Sequence, residues 1–158
     1  MNKQTLAATT LAVATTAGIG GVASSPGAWY SRLRKPSYVP PNAVFPVAWT
    51  SLYTDIAATS ATAIDRLRKA GRHREARNYV VALGANLILN AGWSWLFFKY
   101  RKLGAATVGA AALAASSADL TRRTALADPR AGAALLPYPL WTAFATAMSS
   151  HIWILNRS

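Results

Sequence analysis

Six aromatic side chains and two amides are the groups in this sequence best suited to holding a ligand, and their spacing makes them converge. Asn86, Asn90, Trp93 and Phe97 fall at i, i+4, i+7 and i+11, one stripe of a helix. Trp49 and Tyr53 are one turn apart on a second helix, and Trp141, Phe144, Ala145 and Met148 line a face of a third. Indole faces stack on flat apolar molecules, while an Asn amide or a Tyr hydroxyl orients them. An amide at membrane depth needs a partner, because leaving it unpaired in an apolar medium costs several kcal/mol. The two amides therefore either glue helices together or orient a ligand in a cavity. Aromatics on three separate helices favour the cavity.

Reactive groups are sparse. Asp55 lies inside a long apolar run, where a carboxylate is a functional suspect by position alone. Asp119 is within reach of Arg122 and Arg123 and reads as an interfacial ion pair. His151 has no mate and reads as a hydrogen-bonded structural residue rather than a ligand to haem iron. No nucleophile–base–orienter set, phosphate-cradling glycine loop or zinc spacing is present, so hydrolytic and metal-dependent reactions have no support. With no cysteine, disulfides and thiolate metal sites are excluded.

The elements that must carry these side chains are long uncharged runs. Charges are absent from 4–31, 78–98, 103–118 and 131–156, and 36–64 holds only Asp55. Each run is near the ~20 residues a helix needs to cross the hydrocarbon core. The reading is one all-α membrane domain over 1–158, with five spans at about 5–25, 45–64, 79–98, 104–120 and 131–155. The first run resembles a signal peptide, but it is long for one and leads directly into the anchor pair Trp29-Tyr30, so it is read as a retained helix. Ala110, Ala114 and Ala118 would allow close packing of the fourth span, and Pro137 and Pro139 should bend the fifth. The 17 cations, against 5 acids, sit in short blocks between the runs, the pattern of loops at anionic headgroups rather than of a nucleic-acid surface. Ten of them share a side with the N-terminus and seven lie opposite, which favours a cytoplasmic N-terminus.

Between the first two spans, residues 29–44 combine Trp29, Lys35, Pro36, Tyr38, Pro40 and Pro41 in a stiff amphipathic lid. Four blocks then match a known pattern: Trp29-Tyr30 through Lys35-Pro36 and Pro40-Pro41; Trp49 with Leu52-Tyr53; Leu89-Asn90 with Trp93-Ser94 and Phe97-Phe98; and Pro137-Tyr138 with Trp141 and Phe144-Ala145. In their order and spacing the chain resembles the TspO family of tryptophan-rich sensory and translocator proteins, formerly the peripheral benzodiazepine receptor.

The resemblance implies a five-helix membrane bundle, commonly a homodimer, whose pocket is closed by the first loop and takes protoporphyrin IX, haem or benzodiazepine-site ligands. It requires no further cofactor. Carried over, the pocket would comprise Trp49, Tyr53, Asn90, Trp93, Trp141, Phe144 and Ala145, with Asn86 standing where the family usually has Gln. Trp49 and Trp141 match tryptophans implicated in light-dependent porphyrin breakdown in some bacterial members. The function expected is a receptor or sensor in a bacterial cell membrane, with porphyrin-degrading enzyme and porphyrin or lipid transporter as alternatives. Tyr38 replaces a frequent Trp, and Ser149-Ser150 replace the Asn and Tyr found in sterol-binding members.

Overall fold

The computed structural model describes residues 2–23 and 28–157, and every regular element among them is helical. In chain order these are α1 (Lys3–Ala23), α2 (Ala28–Arg32), α3 (Val44–Lys69), α4 (His73–Ser94), α5 (Leu103–Ala127), α6 (Pro129–Leu135) and α7 (Pro137–Asn156). α4 runs straight on through a π-helical turn, Trp95–Lys99. With α6 and α7 end to end, the chain makes five rods, matching the five expected spans. The end of the signal-peptide-like run, at 24–25, lies outside the described residues.

Lys3–Val22, His73–Lys99 and Leu103–Ala127 are long and apolar enough to cross a membrane by themselves. α3 and α7, which carry tryptophans, tyrosines, prolines and hydroxyl residues of the interior, do not meet that measure by themselves. Around the bundle the order is α1, α3, α6–α7, α5, α4, and α4 packs back on α1.

Helix ends differ from the sequence expectation in one direction. The polar stretch 65–78 is not a loop: α3 continues to Lys69, α4 starts at His73, and Gly71 at φ 74° makes the turn. Arg, Lys and Leu are good helix formers, and cations in the last turn complement the helix dipole. α5 likewise runs seven residues past the expected 120, to Ala127. Of the three alanines thought to pack, only Ala110 is fully buried, while Ala118 faces outward. The buried stripe is instead Ala106, Ala110, Leu113, Ser117, Leu120 and Thr124.

The chain breaks between α6 and α7 at Leu136, as Pro137 requires. Asp128 caps α6 by accepting from the Arg130 and Ala131 amides at 3.0 and 3.2 Å, and it pairs with Arg66 at 3.2 Å. Gly132 allows α6 to lie against α5, since a Cβ there would meet the Ala125 backbone at 2.5 Å.

Two apolar clusters fill the interior. One holds Ile56, Ile64, Tyr79, Leu83, Leu120 and Tyr138. The other holds Tyr30, Trp93, Phe97, Leu113, Met148 and Ile152. Trp49 packs against both and marks the boundary between them.

Candidate ligand cavity

A cavity of about 690 Å³ opens between α1, the start of α3, the end of α4 and the lid. Trp49, Tyr53, Trp93 and Phe97, all expected at the site, line it. Rings meet around its wall: Trp49 stacks on Tyr53 at 5.5 Å, Trp49 and Trp93 lie 6.4 Å apart, and Trp93 and Phe97 lie 5.6 Å apart. Phe97 and Phe98 both reach the cavity although they are sequence neighbours. In an α-helix adjacent residues point about 100° apart; the π-helical turn Trp95–Lys99 re-aims them. The remaining wall is the small-residue face of α1, Ala17, Gly20 and Gly21.

Trp141, Phe144 and Ala145 sit behind that wall. Trp141 meets Trp49 edge to face at 6.4 Å, touches Phe45 at 6.0 Å, and packs on Phe144 at 5.5 Å. Ala145 is buried in the cluster beside Phe97 and Met148.

The amides lie deeper still. Tyr53 donates to Asn90 Oδ1 at 2.9 Å, and Asn90 Nδ2 donates to the Tyr138 hydroxyl at 3.0 Å. Tyr138 donates to Asn86 Oδ1 at 2.7 Å, and Asn86 Nδ2 reaches Ser116 and Ser117, each at 3.2 Å. This chain ties four rods together. Asn86 thus acts as interhelical glue, and Asn90 acts on the cavity only through Tyr53.

Polar satisfaction is complete along that chain and incomplete at the rings. The indole N–H groups of Trp93 and Trp141 and the Ser149 hydroxyl are buried without a hydrogen-bond partner. A buried donor left alone costs about 1–3 kcal/mol. Trp93 borders the cavity with its ring, while its N–H is turned away from the open space.

The lid is folded and docked. Val39 and Val44 amides donate to the Pro36 and Pro41 carbonyls at 3.2 and 2.9 Å, forming two tight turns. Asn156 clamps Arg34 from both sides, accepting from its amide at 3.0 Å and donating to its carbonyl at 2.8 Å. Tyr38 hydrogen-bonds His151 Nδ1 at 3.2 Å and meets Phe144 edge-on at 5.9 Å. His151 is therefore a lid contact.

Lys35 lies over the Tyr30 ring at 4.7 Å and Arg101 over Trp29 at 5.3 Å, both as cation–π pairs. Burial pushes the Tyr30 phenol above its usual value, so it stays neutral. Of the lid, Tyr30, Asn42 and Ala43 face the cavity itself; Trp29, Lys35, Pro36, Tyr38, Pro40 and Pro41 brace it from outside. Seven cations ring this end, from Arg32 to Arg157, with no carboxylate among the described residues there. Asp55 is half-buried on α3; its carbonyl accepts from the Thr59 hydroxyl at 2.7 Å, and its carboxylate has no hydrogen bond or ion pair among the described residues. Asp119 pairs with Arg122 and Arg123 at 2.9 and 2.8 Å, as expected.

Sequence reasoning missed Gly20, Gly21, Asn42, Thr50 and Phe98. The run Gly18-Ile19-Gly20-Gly21 was the available signal, since small residues on an apolar helix leave room beside them.

Five helical rods and an aromatic chamber under a proline-rich lid define an integral membrane bundle built around an internal cavity. The TspO/MBR family model matches residues 7–154, and the chain belongs to that family. It is 33% identical over 143 residues to Protein CrtK of Rhodobacter capsulatus, covering 89% of this chain and 86% of that protein. It is 33% identical over 132 residues to the human Translocator protein, covering 82% and 75%. Over 136 residues it is 29% identical to the Tryptophan-rich sensory protein of Cereibacter sphaeroides, covering 86% and 82%.

Proposed function

We propose that the cavity receives a flat tetrapyrrole such as protoporphyrin IX or haem, and that the protein acts as a membrane receptor or sensor for it. One observation carries this reading: Trp49 and Trp93, from different rods, border an apolar space of about 690 Å³ beneath a docked lid. That volume is within the ~300–1,000 Å³ typical of small-molecule sites. A macrocycle presents π faces to the indoles. Its carboxylates would meet Arg32, Arg34 or Lys35 outside the lid, where no acid competes. The word "sensory" in one relative's name and "translocator" in another's agree with a protein that recognises a membrane-soluble guest. We further propose a bacterial cell membrane as its location and a homodimer as its assembly.

The test is a titration of purified protein with protoporphyrin IX and with haem, read by tryptophan quenching and Soret absorbance. Saturable binding near one ligand per chain is expected, weakened in Trp49→Ala. Absence of saturation, or identical curves for wild type and Trp49→Ala, would overturn the reading.

The contact between Trp49 and Trp141, 6.4 Å apart and perpendicular, favours a second reading, light-dependent porphyrin breakdown. Trp49 would donate an electron to the excited macrocycle, and Trp141 stands next in line behind it. Many porphyrins consumed per protein under illumination, with one defined product, would mark a catalyst. Bleaching of the bound ligand alone would mark a receptor.

A further inference from the structure

The membrane face opposite the lid holds a second, smaller cavity of about 190 Å³. It lies where the turn after α3, the start of α4 and the end of α5 meet. Arg72, Glu75, Asn78, Arg122 and Arg123 form its polar wall, and Leu67 and Tyr79 its apolar one. Leu126, 66% exposed, is its apolar rim at the end of α5. None of these residues borders the aromatic chamber.

The guanidiniums here are only partly used. Arg72 is tied to Glu75 through Nε and Nη2. Arg122 spends Nη2 on Asp119 at 2.9 Å, and Arg123 spends Nε on the same carboxylate at 2.8 Å. An arginine carries five N–H donors in a planar fork, so each keeps donors in hand. The Asn78 side chain has no partner among the described residues, which adds a neutral donor. Three arginines face two carboxylates, leaving a net positive charge. The wider face carries ten cations against four acids.

Guanidinium forks match the oxygens of a phosphate, and their charge-assisted bonds are the strong ones. The depth selects the source of that phosphate. Two apolar spans, His73–Lys99 and Leu103–Ala127, have their ends here, so the cavity sits at headgroup level. Val81, 66% exposed and about two turns into α4 from His73, lies on the membrane side of the cavity as an exposed apolar surface for an acyl chain. Basic pockets between transmembrane helices have this form when they hold anionic headgroups. At about 190 Å³ the space is below the ~300 Å³ lower bound of drug-sized ligand sites. It is of a size for a phosphate ester, with the rest of the lipid lying outside.

We propose that this cavity is a phosphate site for an anionic phospholipid, held by Arg72, Arg122 and Arg123. The reading is independent of what occupies the aromatic chamber.

The test uses the full chain in detergent, exposed to equal amounts of phosphatidylglycerol and phosphatidylcholine, with retained lipid counted by native mass spectrometry. Phosphatidylglycerol should be held about fivefold or more over phosphatidylcholine, the scale of one cation's attraction to an anionic lipid. Arg122→Gln with Arg123→Gln should bring the two lipids to parity. Arg74→Gln with Arg77→Gln removes equal charge from the same face outside the cavity, and should leave the preference intact. Asp119→Asn frees both guanidiniums without deleting a cation, and should raise the preference. Excess inorganic phosphate should not displace the lipid.

Parity in the wild type, or equal loss in the Arg74/Arg77 variant, would overturn the site. So would an unchanged preference in Asp119→Asn, which keeps the test decisive should the Arg122/Arg123 variant misfold. Displacement by inorganic phosphate would overturn the lipid as its source.

Discussion

The two halves of the bundle use the same residue types to opposite ends. Toward the turn at Gly71, Tyr79, Tyr138, Asn86 and Asn90 are fully buried and hydrogen-bonded. Tyr79 alone reaches Ser60 at 3.1 Å and Thr124 at 2.8 Å. Toward the lid, the aromatics surround a void, and two indole N–H groups have no partner. The first half is complete without a ligand. The second leaves a stacking surface unused, which is the physical signature of a site whose missing atoms come from a guest.

Removing the deep hydrogen-bond chain should therefore damage the fold and leave recognition to the rings. Asn86→Leu strands the Tyr138 hydroxyl donor and the serines beside it. It should cost about 2–6 kcal/mol of stability, as two buried groups at ~1–3 kcal/mol each would. Thermal unfolding in detergent would read this, while porphyrin affinity of the protein still folded should stay within about twofold. A large affinity loss there would erase the distinction between the halves.

Trp49→Ala should do the reverse at the ligand, weakening porphyrin binding by about 1–2 kcal/mol through lost ring contact. Trp141→Ala should cost less than half as much, because Trp141 touches the guest only by way of Trp49. Equal losses in quenching titrations would place the guest between the two indoles instead.

Trp93→Phe is a sharper probe still. It keeps a ring at the cavity wall and deletes the unpartnered N–H, but it also removes buried ring atoms, so the empty protein should lose no more than about 1–2 kcal/mol. Porphyrin binding should fall by about 0.5–1.5 kcal/mol through the smaller ring face. Parallel melting and titration experiments check both, and a loss above about 3 kcal/mol in the empty protein would mean the donor is satisfied.

How far the residues announced this arrangement depends on which physical quantity they report. Uncharged length reports the number of rods, so five spans were legible. Charge does not report where a helix stops, because Arg66, Arg68 and Lys69 extend α3 as readily as a loop would hold them. Periodicity placed Asn86 on the same stripe as Trp93 and could not say that two turns of depth separate glue from wall. It also failed at Phe98, which lies off the stripe of Phe97 and reaches the cavity from the π-helical turn. Gly20 and Gly21 went unread because their contribution is the absence of a side chain. Trp141 was legible as an aromatic of the right region; which face of Trp49 it occupies depends on packing that no single helix encodes.

The smallest expected effect lies at the complete end, where α1 is pinned to α3. Asp65 sits just past the second span and accepts from the Asn2 amide at 2.6 Å. Burial pushes its carboxyl up, but the Asn2 amide, the Thr5 hydroxyl and the Lys69 ammonium outweigh this and hold it below the usual carboxylate range. In the unfolded chain an aspartate titrates near ~3.9. Between that value and the lower folded one, the unfolded state binds more protons, so stability falls as pH falls. The contribution is fully present above the unfolded value and lost through the folded one. Melting temperature measured from neutral pH down to about pH 3 should therefore drop less steeply in Asp65→Asn than in the wild type, with the curves converging in acid. Parallel curves would mean that the Asp65 contact does not hold α1 in place. The complete half would then rest on its hydrogen-bonded tyrosines and asparagines alone.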